Sequence, residues 1–338
     1  MTDLQKVSIV MPFKNTSQYL RACIESITNQ NHINFELLAV DDHSTDNSFD
    51  LVASYAAKDS RVKVFKNPGR GILQGLDYIY SKCTGNFITR MDSDDLMPAN
   101  KLFELKSILE SSTEKTVATG LVKYFCDEHD VFDGFTRYQN WLNDLSKTST
   151  HYQDIYTECP VASPCWMMYK ADYDSIGAYS VHHYPEDYDL FYRWYEAGFK
   201  IKASHQILHL WRDHSTRASR TDPNYLDQCF FKIKLNYFKK LHYCDQSPLV
   251  VWGAGPKGKK LVKELQSQGF SLRWICDNPK KIGQNIYGIQ LENIEVLSEI
   301  NKPTILLAVS QKHSKTGINN TLDRYNLEIN KDFFNFVI

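Results

Sequence analysis

The stretch that decides the fold is Asn86-Phe87-Ile88-Thr89-Arg90-Met91-Asp92-Ser93-Asp94-Asp95. An apolar run of strand length ends here in three carboxylates on one tight turn. Like charges this close together need a cation, and carboxylate oxygens suit Mg²⁺ or Mn²⁺, whose shells are completed by waters and substrate phosphates. The turn therefore predicts a metal–diphosphate site. An acidic helix start, favoured by the helix dipole, is the purely structural alternative.

Three β-α repeats precede this turn. Apolar runs at 7–13, 35–40 and 61–65 predict strands, and Leu20, Ile24 and Ile27 lie at helical spacing after the first of them. Strands that alternate with helices predict an α/β fold with a mostly parallel sheet, which binds ligands outside the carboxyl ends of its strands. The second strand ends at Asp41 and Asp42, so we expect both to share one crevice with the acidic turn.

These motifs resemble family 2 glycosyltransferases with the GT-A fold. The resemblance is carried by Ser8-Ile9-Val10-Met11-Pro12, by the Val40-Asp41-Asp42-His43-Ser44-Thr45-Asp46 turn, by Gly71 and by the acidic turn, in that order along the chain. It implies a nucleotide-sugar half over residues 1–110, in which Asp41 or Asp42 holds the base or ribose. Asp92 would lie by the ribose and the metal, Asp94 would coordinate the metal, and Pro12, Gly71 and Ser93 would line the donor. His43 stands where the family often has glycine.

A second chemical constellation runs from His182 to Leu190 and opens a helix at Pro185. Proline in a first turn, with Glu186 and Asp187 beside the positive end of the dipole, is ordinary helix-start chemistry. In the resembled family a Glu-Asp pair stands here and deprotonates the acceptor hydroxyl as general base. The resemblance implies Asp187 as that base, with Glu186 as its support, in an inverting displacement.

Arg212 and His214 follow an apolar run at 206–210 that predicts a strand. Arginine suits bidentate pairing with a diphosphate, and a neutral histidine can complete a metal shell. In the resembled family a mobile segment at this place closes over the donor. That implies Arg212 on the diphosphate and His214 on the metal beside Asp92 and Asp94, while an ion pair with Asp213 is the structural alternative.

A fresh β-α series begins after a connecting helix predicted over 223–247. A strand at 249–252 leads into Gly253-Ala254-Gly255-Pro256-Lys257-Gly258, and Asp277 ends the next strand. A GxGxxG between strand and helix, with an acid after the following strand, is the dinucleotide fingerprint. Only about ninety residues remain, however, and Pro256 removes one amide from the turn. We expect a small Rossmann-like domain over 248–338 for packing, dimerisation or acceptor recognition, with nucleotide binding and homo-oligomer formation left open.

Nearly the full length of the chain is similar to one subgroup of that family, which includes the queuosine-tRNA galactosyltransferase. The similarity rests on Arg137-Tyr138-x-x-Trp141-x-Asn143-x-Leu145, Pro185-Glu186-Asp187 and Trp252-Gly253-Ala254-Gly255 with Gly258-Lys259. It implies a glycosyltransferase domain over 1–222, whose acceptor half is 111–222, and an acceptor that is a modified nucleoside in tRNA.

Composition describes a folded enzyme. The 338 residues are 42% hydrophobic and 13% aromatic, which suits two domains and excludes a disordered chain. No apolar stretch reaches the ~18 residues of a membrane span, and residues 1–6 lack signal-peptide features. We expect a cytoplasmic protein, with peripheral attachment to the inner membrane face left open. The eight cysteines form no CxxC pair, which argues against zinc knuckles and disulfide frameworks.

The net charge of −1 conceals a basic stretch, because residues 200–263 hold 13 Lys or Arg and 4 Asp. Such a stretch suits a diphosphate, a membrane surface or an RNA backbone, and a solvated helix face is the alternative.

Together the patterns predict a glycosyltransferase that uses Mn²⁺ or Mg²⁺ and moves a hexose from a nucleotide diphosphate sugar, preferably a uridine one, to an acceptor hydroxyl. Glycan or lipid-linked precursors of lipopolysaccharide or capsule lead as acceptors, and queuosine in tRNA follows. A non-catalytic nucleotide-binding scaffold and an oxidoreductase working through Gly253–Gly258 remain alternatives.

Overall fold

The computed structural model describes residues 5–127, 130–180, 183–223, 227–244, 246–309 and 312–337. The chain divides into two compact units, the first of residues 1–151 and 161–220 and the second of 152–160 and 221–338. The first four residues, His182, residues 224–226 and Asp245, which entered the sequence predictions, lie outside the described residues.

The first unit is built on seven strands. They are β1 (Val7–Phe13), β2 (Phe35–Asp41), β3 (Val62–Lys66), β4 (Phe87–Arg90), β5 (Thr116–Phe125), β6 (Trp166–Tyr169) and β7 (Lys200–Arg212). The helices up to its boundary are α1 (Ser17–Thr28), α2 (Ser48–Ala56), α3 (Ile72–Tyr80), α4 (Lys101–Glu110), α5 (Asp133–Thr148), α6 (Lys170–Ser175), α7 (Glu186–Glu196) and the short α8 (Ala218–Thr221).

The strands form one sheet in the order β3-β2-β1-β4-β6-β5-β7. Neighbours are parallel except at β6, which runs antiparallel to both β4 and β5. Because β1, β2 and β4 are parallel, with Phe13 beside Asp41 and Val10 beside Arg90, their carboxyl ends meet at one edge. The predicted α/β class with a mostly parallel central sheet is confirmed.

Helices cover both faces of this sheet because its central strands are apolar on both faces. Alternate residues of β1 from Val7 to Phe13 join one buried cluster with the inner stripe of α1 at Leu20, Ile24 and Ile27. On the other face, α3 approaches β2 so closely that a side chain at Gly75 would touch Val40. In β1 and β2 the middle of each strand is apolar and buried, and the polar side chains lie near the strand ends; the candidate site lies at the carboxyl ends.

The second unit has its own sheet. Its elements are α9 (Asp227–Leu241), β8 (Leu249–Trp252), α10 (Pro256–Ser267), β9 (Arg273–Cys276), β10 (Asn285–Ile286), β11 (Ile289–Asn293), β12 (Thr304–Leu307), α11 (Lys312–Arg324) and β13 (Phe333–Asn335). The strand order is β10-β11-β9-β8-β12-β13, parallel apart from β10. A second sheet in this part of the chain agrees with the β-α series predicted around Gly253–Gly258.

One segment of the second unit comes from the middle of the chain. Residues 152–160 belong to it, and Lys234 of α9 donates hydrogen bonds to the carbonyls of Thr157 and Phe336. The predicted domain limits, at 222 and 248, stay a prediction. Across the described part of the chain, no helix has both the length and the apolar composition that crossing a bilayer requires.

Candidate active site

The acidic turn of residues 92–95 leaves the carboxyl end of β4 and is fixed on two sides. The Met91 amide donates to the Val10 carbonyl of β1 at 3.0 Å, and the Leu96 amide donates to the Leu210 carbonyl of β7 at 3.0 Å. The turn is therefore a rigid connection and not a free loop, which favours precise placement of its carboxylates.

Asp95 supports the turn from beneath. It is fully buried, and its carboxylate accepts hydrogen bonds from the Arg212 amide at 2.8 Å and from His209 Nε2 at 2.9 Å. His209 Nδ1 lies 3.4 Å from the buried Lys101 ammonium, which can only donate, so the ring proton belongs on Nε2. Burial and then repulsion from Asp94 raise the pKa of Asp95. These contacts are those of a residue that supports the turn.

Asp94 pairs with His214 across the site. Asp94 Oδ2 lies 2.8 Å from His214 Nε2, and the imidazole packs on the Tyr19 ring of α1, with the ring centroids 4.6 Å apart and the planes tilted by 35°. Burial opposes ionisation of Asp94, but the His214 hydrogen bond and the charge of Arg217 hold its pKa below the usual range. Asp94 therefore presents an ionised carboxylate beside a histidine nitrogen.

Asp92 is held by an arginine from its own strand. Arg90 Nε donates to Asp92 Oδ1 at 3.0 Å, and Arg90 NH1 donates to Glu186 Oε1 at 2.8 Å. Burial raises the pKa of Asp92, and repulsion from Asp94 adds to it, while Arg90 opposes the rise. Glu186 is the first residue of α7, so this arginine joins the acidic turn to the helix that carries Asp187.

The predicted donor-side residues line the edge formed by β1 and β2. Asp42 Oδ1 accepts hydrogen bonds from the Gly71 amide at 2.8 Å and from Asn67 Nδ2 at 2.8 Å, and Asp41 Oδ1 accepts one from the Ser44 amide at 3.0 Å. Gly71 has a φ of +86°, a conformation that favours glycine. A Cβ there would lie 3.6 Å from the Tyr184 hydroxyl, so the segment before α7 reaches this loop.

Pro12 and Ser93 occupy the middle of the same edge. Pro12 pairs with Val40 at the end of β1. Ser93 Oγ lies 3.0 Å from Thr16 Oγ1, ahead of α1. These contacts join the first strand's turn directly to the acidic turn.

Arg212 is packed beside the acidic turn. Its Nε donates to the Asp94 carbonyl at 2.7 Å, its guanidinium pairs with Asp127, and Phe125 and Tyr19 flank it at 4.5 and 5.0 Å. The alternative of an Arg212–Asp213 ion pair is wrong, because Arg220 occupies Asp213 at 2.6 Å. Arg212 lies near enough to the turn to meet an anion bound there.

Asp187 follows Glu186 in the first turn of α7. Its side chain is half-buried, and its Oδ1 accepts the Tyr188 amide at 2.8 Å. The structure thus joins Asp94, Arg212 and His214 by direct contacts, has Asp92 in the same turn, and reaches Glu186, the neighbour of Asp187, through Arg90.

Four positively charged or imidazole side chains of this site were not identified from the sequence: Arg90, Lys101, His209 and Arg217. Arg217 is buried, donates to the Arg212 carbonyl at 2.9 Å and lies 5.2 Å from the Trp211 ring. Arg90 carried a signal, because it is the charged end of an otherwise uncharged strand before the acidic turn. Arg217 carried a weaker one, because it follows Arg212 and His214 in the same segment, whereas Lys101 and His209 look like ordinary helix and strand residues.

The acidic turn can supply only some of the ligands that a divalent cation needs. Within the described ranges no three His, Cys, Asp or Glu side chains are already arranged around one metal position. Asp92, Asp94 and His214 offer two carboxylates and one imidazole, and Mg²⁺ and related ions are commonly held by one or two carboxylates plus substrate phosphates. Burial and mutual repulsion raise the pKa of Asp92, and a bound cation would relieve both. The donor set therefore fits such an ion together with a diphosphate.

The basic stretch of 200–263 is only in part a surface. Arg212, Arg217 and Lys234 are buried, whereas the lysines at 232, 239, 240, 257, 260 and 263 are exposed. In the glycine-rich turn, a Cβ at Gly258 would collide with the Gly253 carbonyl, and Lys281 donates to the Ala254 carbonyl at 2.8 Å. Close helix–strand packing explains that glycine without a ligand.

Comparison with known proteins gives consistent results. The family model described as glycosyl transferase family 2 matches residues 8–177, half of the chain. The glycosyltransferase GlyG of Streptococcus pneumoniae is 26% identical over 226 residues, which cover 64% of this chain and 73% of that protein.

Two solved structures share the fold. S. aureus TarS 1-349 in complex with UDP-GlcNAc has a TM-score of 0.52 at 15% identity, covering 69% of this chain and 66% of that one. The Pyrobaculum calidifontis mannosyltransferase PcManGT in complex with GDP-Man and Mn²⁺ has a TM-score of 0.51 at 13% identity, covering 77% and 68%. At such identities the likeness concerns the fold alone, and it confirms the GT-A architecture.

Proposed function

This chain belongs to glycosyl transferase family 2, and we propose that it transfers a hexose with inversion from a nucleotide diphosphate sugar, preferably a UDP sugar, to an acceptor hydroxyl. The observation that carries the proposal is the meeting of three polar turns at one sheet edge: Ser93 contacts Thr16, Asp42 holds Gly71, and Arg90 joins Asp92 to Glu186. Ligands of open α/β sheets bind at this edge. TarS and PcManGT were solved with nucleotide sugars, which supports the same class of donor here.

The donor would lie along β1, β2 and the acidic turn. Asp41 or Asp42 would take the base or ribose, with Pro12, Gly71 and Ser93 lining the donor. Arg212 would meet the diphosphate, since its guanidinium lies beside the Asp94 carbonyl. A scaffold that only binds nucleotide would use the same residues and would release no sugar.

Asp92, Asp94 and His214 would hold Mn²⁺ or Mg²⁺ together with the donor diphosphate. When bound, such an ion neutralises negative charge on the departing nucleotide. The protein's own part is to keep Asp94 ionised and Asp92 oriented, which His214 and Arg90 do.

Asp187 would be the general base, with Glu186 in a supporting role. The Glu186 carboxylate is 6% exposed and lies against Arg90 at 2.8 Å, which ties it to the acidic turn. Asp187 is the more exposed of the two and follows it in the first turn of α7. A base must reach the acceptor proton, and that requirement favours the carboxylate nearer solvent.

We place the acceptor among glycan or lipid-linked precursors of surface polysaccharide. Queuosine in tRNA is the second candidate, favoured by the six exposed lysines between 232 and 263. Mass spectrometry of tRNA nucleosides from cells with and without the gene separates the two, because only the tRNA acceptor predicts a missing glycosylated nucleoside.

The donor test uses purified protein, Mn²⁺ and a panel of nucleotide sugars, with release of the nucleoside diphosphate as the readout. Asp187→Asn should cut turnover by about 10²–10⁴ with donor affinity nearly unchanged, because it removes the base and leaves the donor contacts. Asp144→Asn on the exposed face of α5 is the matched control and should behave as the wild type. Donor binding without any turnover across the panel would favour the scaffold.

A further inference from the structure

Arg90 occupies an unusual position between two acids from distant parts of the chain. Its side chain is 7% exposed, and it contacts Asp92 at 3.0 Å and Glu186 at 2.8 Å, although Glu186 lies 96 residues further along. Glu186 is likewise 6% exposed. The Glu186 contact is therefore shielded from water, where charge-assisted hydrogen bonds are strong, whereas the Asp92 side chain is 23% exposed.

The geometry needs arginine in particular. The guanidinium presents several N–H groups in one rigid plane, so Nε can serve Asp92 while NH1 serves Glu186. A lysine ammonium can also donate to two acceptors, but its donors rotate freely about one nitrogen and do not fix two acids in one plane as the guanidinium fork does. Arg90 itself is fixed because β4 pairs with β1 at Val10 beside it.

The two acids stand on opposite sides of the proposed reaction. Asp92 belongs to the turn that would hold the cation and the donor, and Glu186 starts the helix that carries Asp187. A shift of Glu186 moves the first turn of α7, and with it the position from which Asp187 would reach an acceptor. Misplacement of a catalytic group by about 1 Å can cost about 10²-fold in rate.

We propose that Arg90 is a positioning residue that couples the donor turn to the catalytic base: it orients Asp92 and, through Glu186, sets the place of Asp187. The inference rests on the proposed function and adds to it that Glu186 orients and transfers no proton. A change in the position of Asp92 on donor binding would then change the position of the first turn of α7 through the Arg90 side chain.

Hydrogen exchange measures this coupling without any acceptor. Full-length protein is compared with and without UDP and Mn²⁺ by mass spectrometry, reading peptides from α7. Wild type and Glu186→Gln, whose amide oxygen still accepts from Arg90, should gain protection in α7 on ligand addition. Arg90→Met should bind UDP and Mn²⁺ without that gain. Equal protection in Arg90→Met, or none in the wild type, overturns the coupling.

The second measurement is steady-state kinetics with the nucleotide sugar that the donor panel identifies as a substrate. Glu186→Gln should keep turnover within about 5-fold, whereas a base replaced by an amide would lose about 10²–10⁴. Glu186→Ala should lower kcat about 10-fold at unchanged donor KM, and Arg90→Met should worsen both, because it also releases Asp92. Arg90→Lys should resemble Arg90→Met.

The double variant Arg90→Met with Glu186→Ala completes the cycle. It should lose no more than Arg90→Met alone, because the two residues act as one unit. Fully additive losses would contradict the proposal, as would a Glu186→Gln enzyme as inactive as Asp187→Asn. A wild type that binds UDP and Mn²⁺ and gains protection but turns over no sugar counts against the proposed function and leaves the coupling intact.

Discussion

A substitution at Glu36 should change the stability of the first unit without changing its catalytic activity. The Glu36 carboxylate contacts several elements at the sheet edge opposite the acidic turn. Glu36 is 1% exposed. It accepts hydrogen bonds from Ser8 Oγ at 2.8 Å, the Thr84 amide at 2.7 Å and Lys63 Nζ at 3.0 Å, and Lys6 lies at 3.1 Å. Replacing it by glutamine keeps the shape and removes the charge.

The magnitude follows from the pKa. Burial alone would raise the pKa of Glu36, but the hydrogen bonds from Thr84, Ser8 and Lys63 lower it from 4.5 to about 2. The unfolded chain therefore takes up the proton first as the pH falls. The stabilisation is complete above pH 4.5 and is lost as the pH falls towards 2. At about 1.4 kcal/mol per pKa unit it amounts to about 3 kcal/mol at neutral pH.

Glu36→Gln should lower the free energy of unfolding of the first unit by about 3 kcal/mol at pH 7. At pH 3.5 the deficit should shrink by about 1.4 kcal/mol, because the wild type has lost that much of its own stabilisation. Turnover per folded molecule should be unchanged, since no predicted donor or base residue touches Glu36.

Native-state hydrogen exchange is the suitable assay, because two units need not unfold together. Peptides of β1 and β2 report the effect, and peptides of β8 and β12 in the second unit serve as the internal reference. Glu114→Gln breaks an exposed pair with Lys202 at 3.5 Å and should cost less than about 0.5 kcal/mol. A Glu36→Gln deficit that is equal at both pH values, or below about 1 kcal/mol at pH 7, would refute the reasoning.

Three further variants test the site and the second unit. Asp94→Ala should abolish metal-dependent release of nucleoside diphosphate while the fold persists, and activity retained with Mn²⁺ would refute its place on the metal. His209→Leu removes the donor to the buried Asp95 carboxylate at 2.9 Å and should destabilise the first unit by about 3 kcal/mol in urea unfolding; a loss below about 1 kcal/mol would show that the contact is dispensable. Gly258→Ala should destabilise the second unit by about 1–3 kcal/mol through the clash with the Gly253 carbonyl, whereas Gly255→Ala, which meets open space, should be neutral. Similar losses in both glycine variants would contradict the packing explanation.

The strands of the donor half could be predicted because parallel strands buried on both faces are continuous apolar runs. The limits of β1 at 7–13 agree with the prediction, and β2 extends one residue beyond it. β7 was foreseen only at 206–210, although it spans Lys200–Arg212. Its first half is polar, and its pairing with β5 shifts register between Gly120 and Val122, so apolar periodicity could not reveal its full length.

The middle of the chain resisted prediction for a different reason. β6 is four residues long, runs antiparallel between β4 and β5, and shows no alternation because both its neighbours and its faces are buried. Aromatic residues that could have marked a sugar platform are largely core, since Tyr173 and Trp194 both pack on Trp166.

Candidate site residues could be predicted where several reactive side chains lie together in one short motif. The residues that form hydrogen bonds with them could not be predicted. Three acids within four residues repel one another and are uncommon outside functional sites, so the acidic turn can be recognised from the sequence alone. Arg90 and Glu186 meet only because β4 and α7 are brought together by the fold across 96 positions. His209 and Lys101 are 108 positions apart. Nothing in the sequence around these four residues indicates either pair.

These partners offset the mutual repulsion of the three carboxylates in the acidic turn. Each carboxylate has a different one: Arg90 for Asp92, His214 for Asp94, and His209 with the Arg212 amide for Asp95. Asp95 is fully buried, so its partners stay with it. The side chains of Asp92 and Asp94 are 23% and 18% exposed, so under the proposed function a cation arriving with a diphosphate would reach these two carboxylates. Of the partners of these two acids, Arg90 is the one that also contacts Glu186 of α7, so a change at Asp92 on cation binding should extend to that helix.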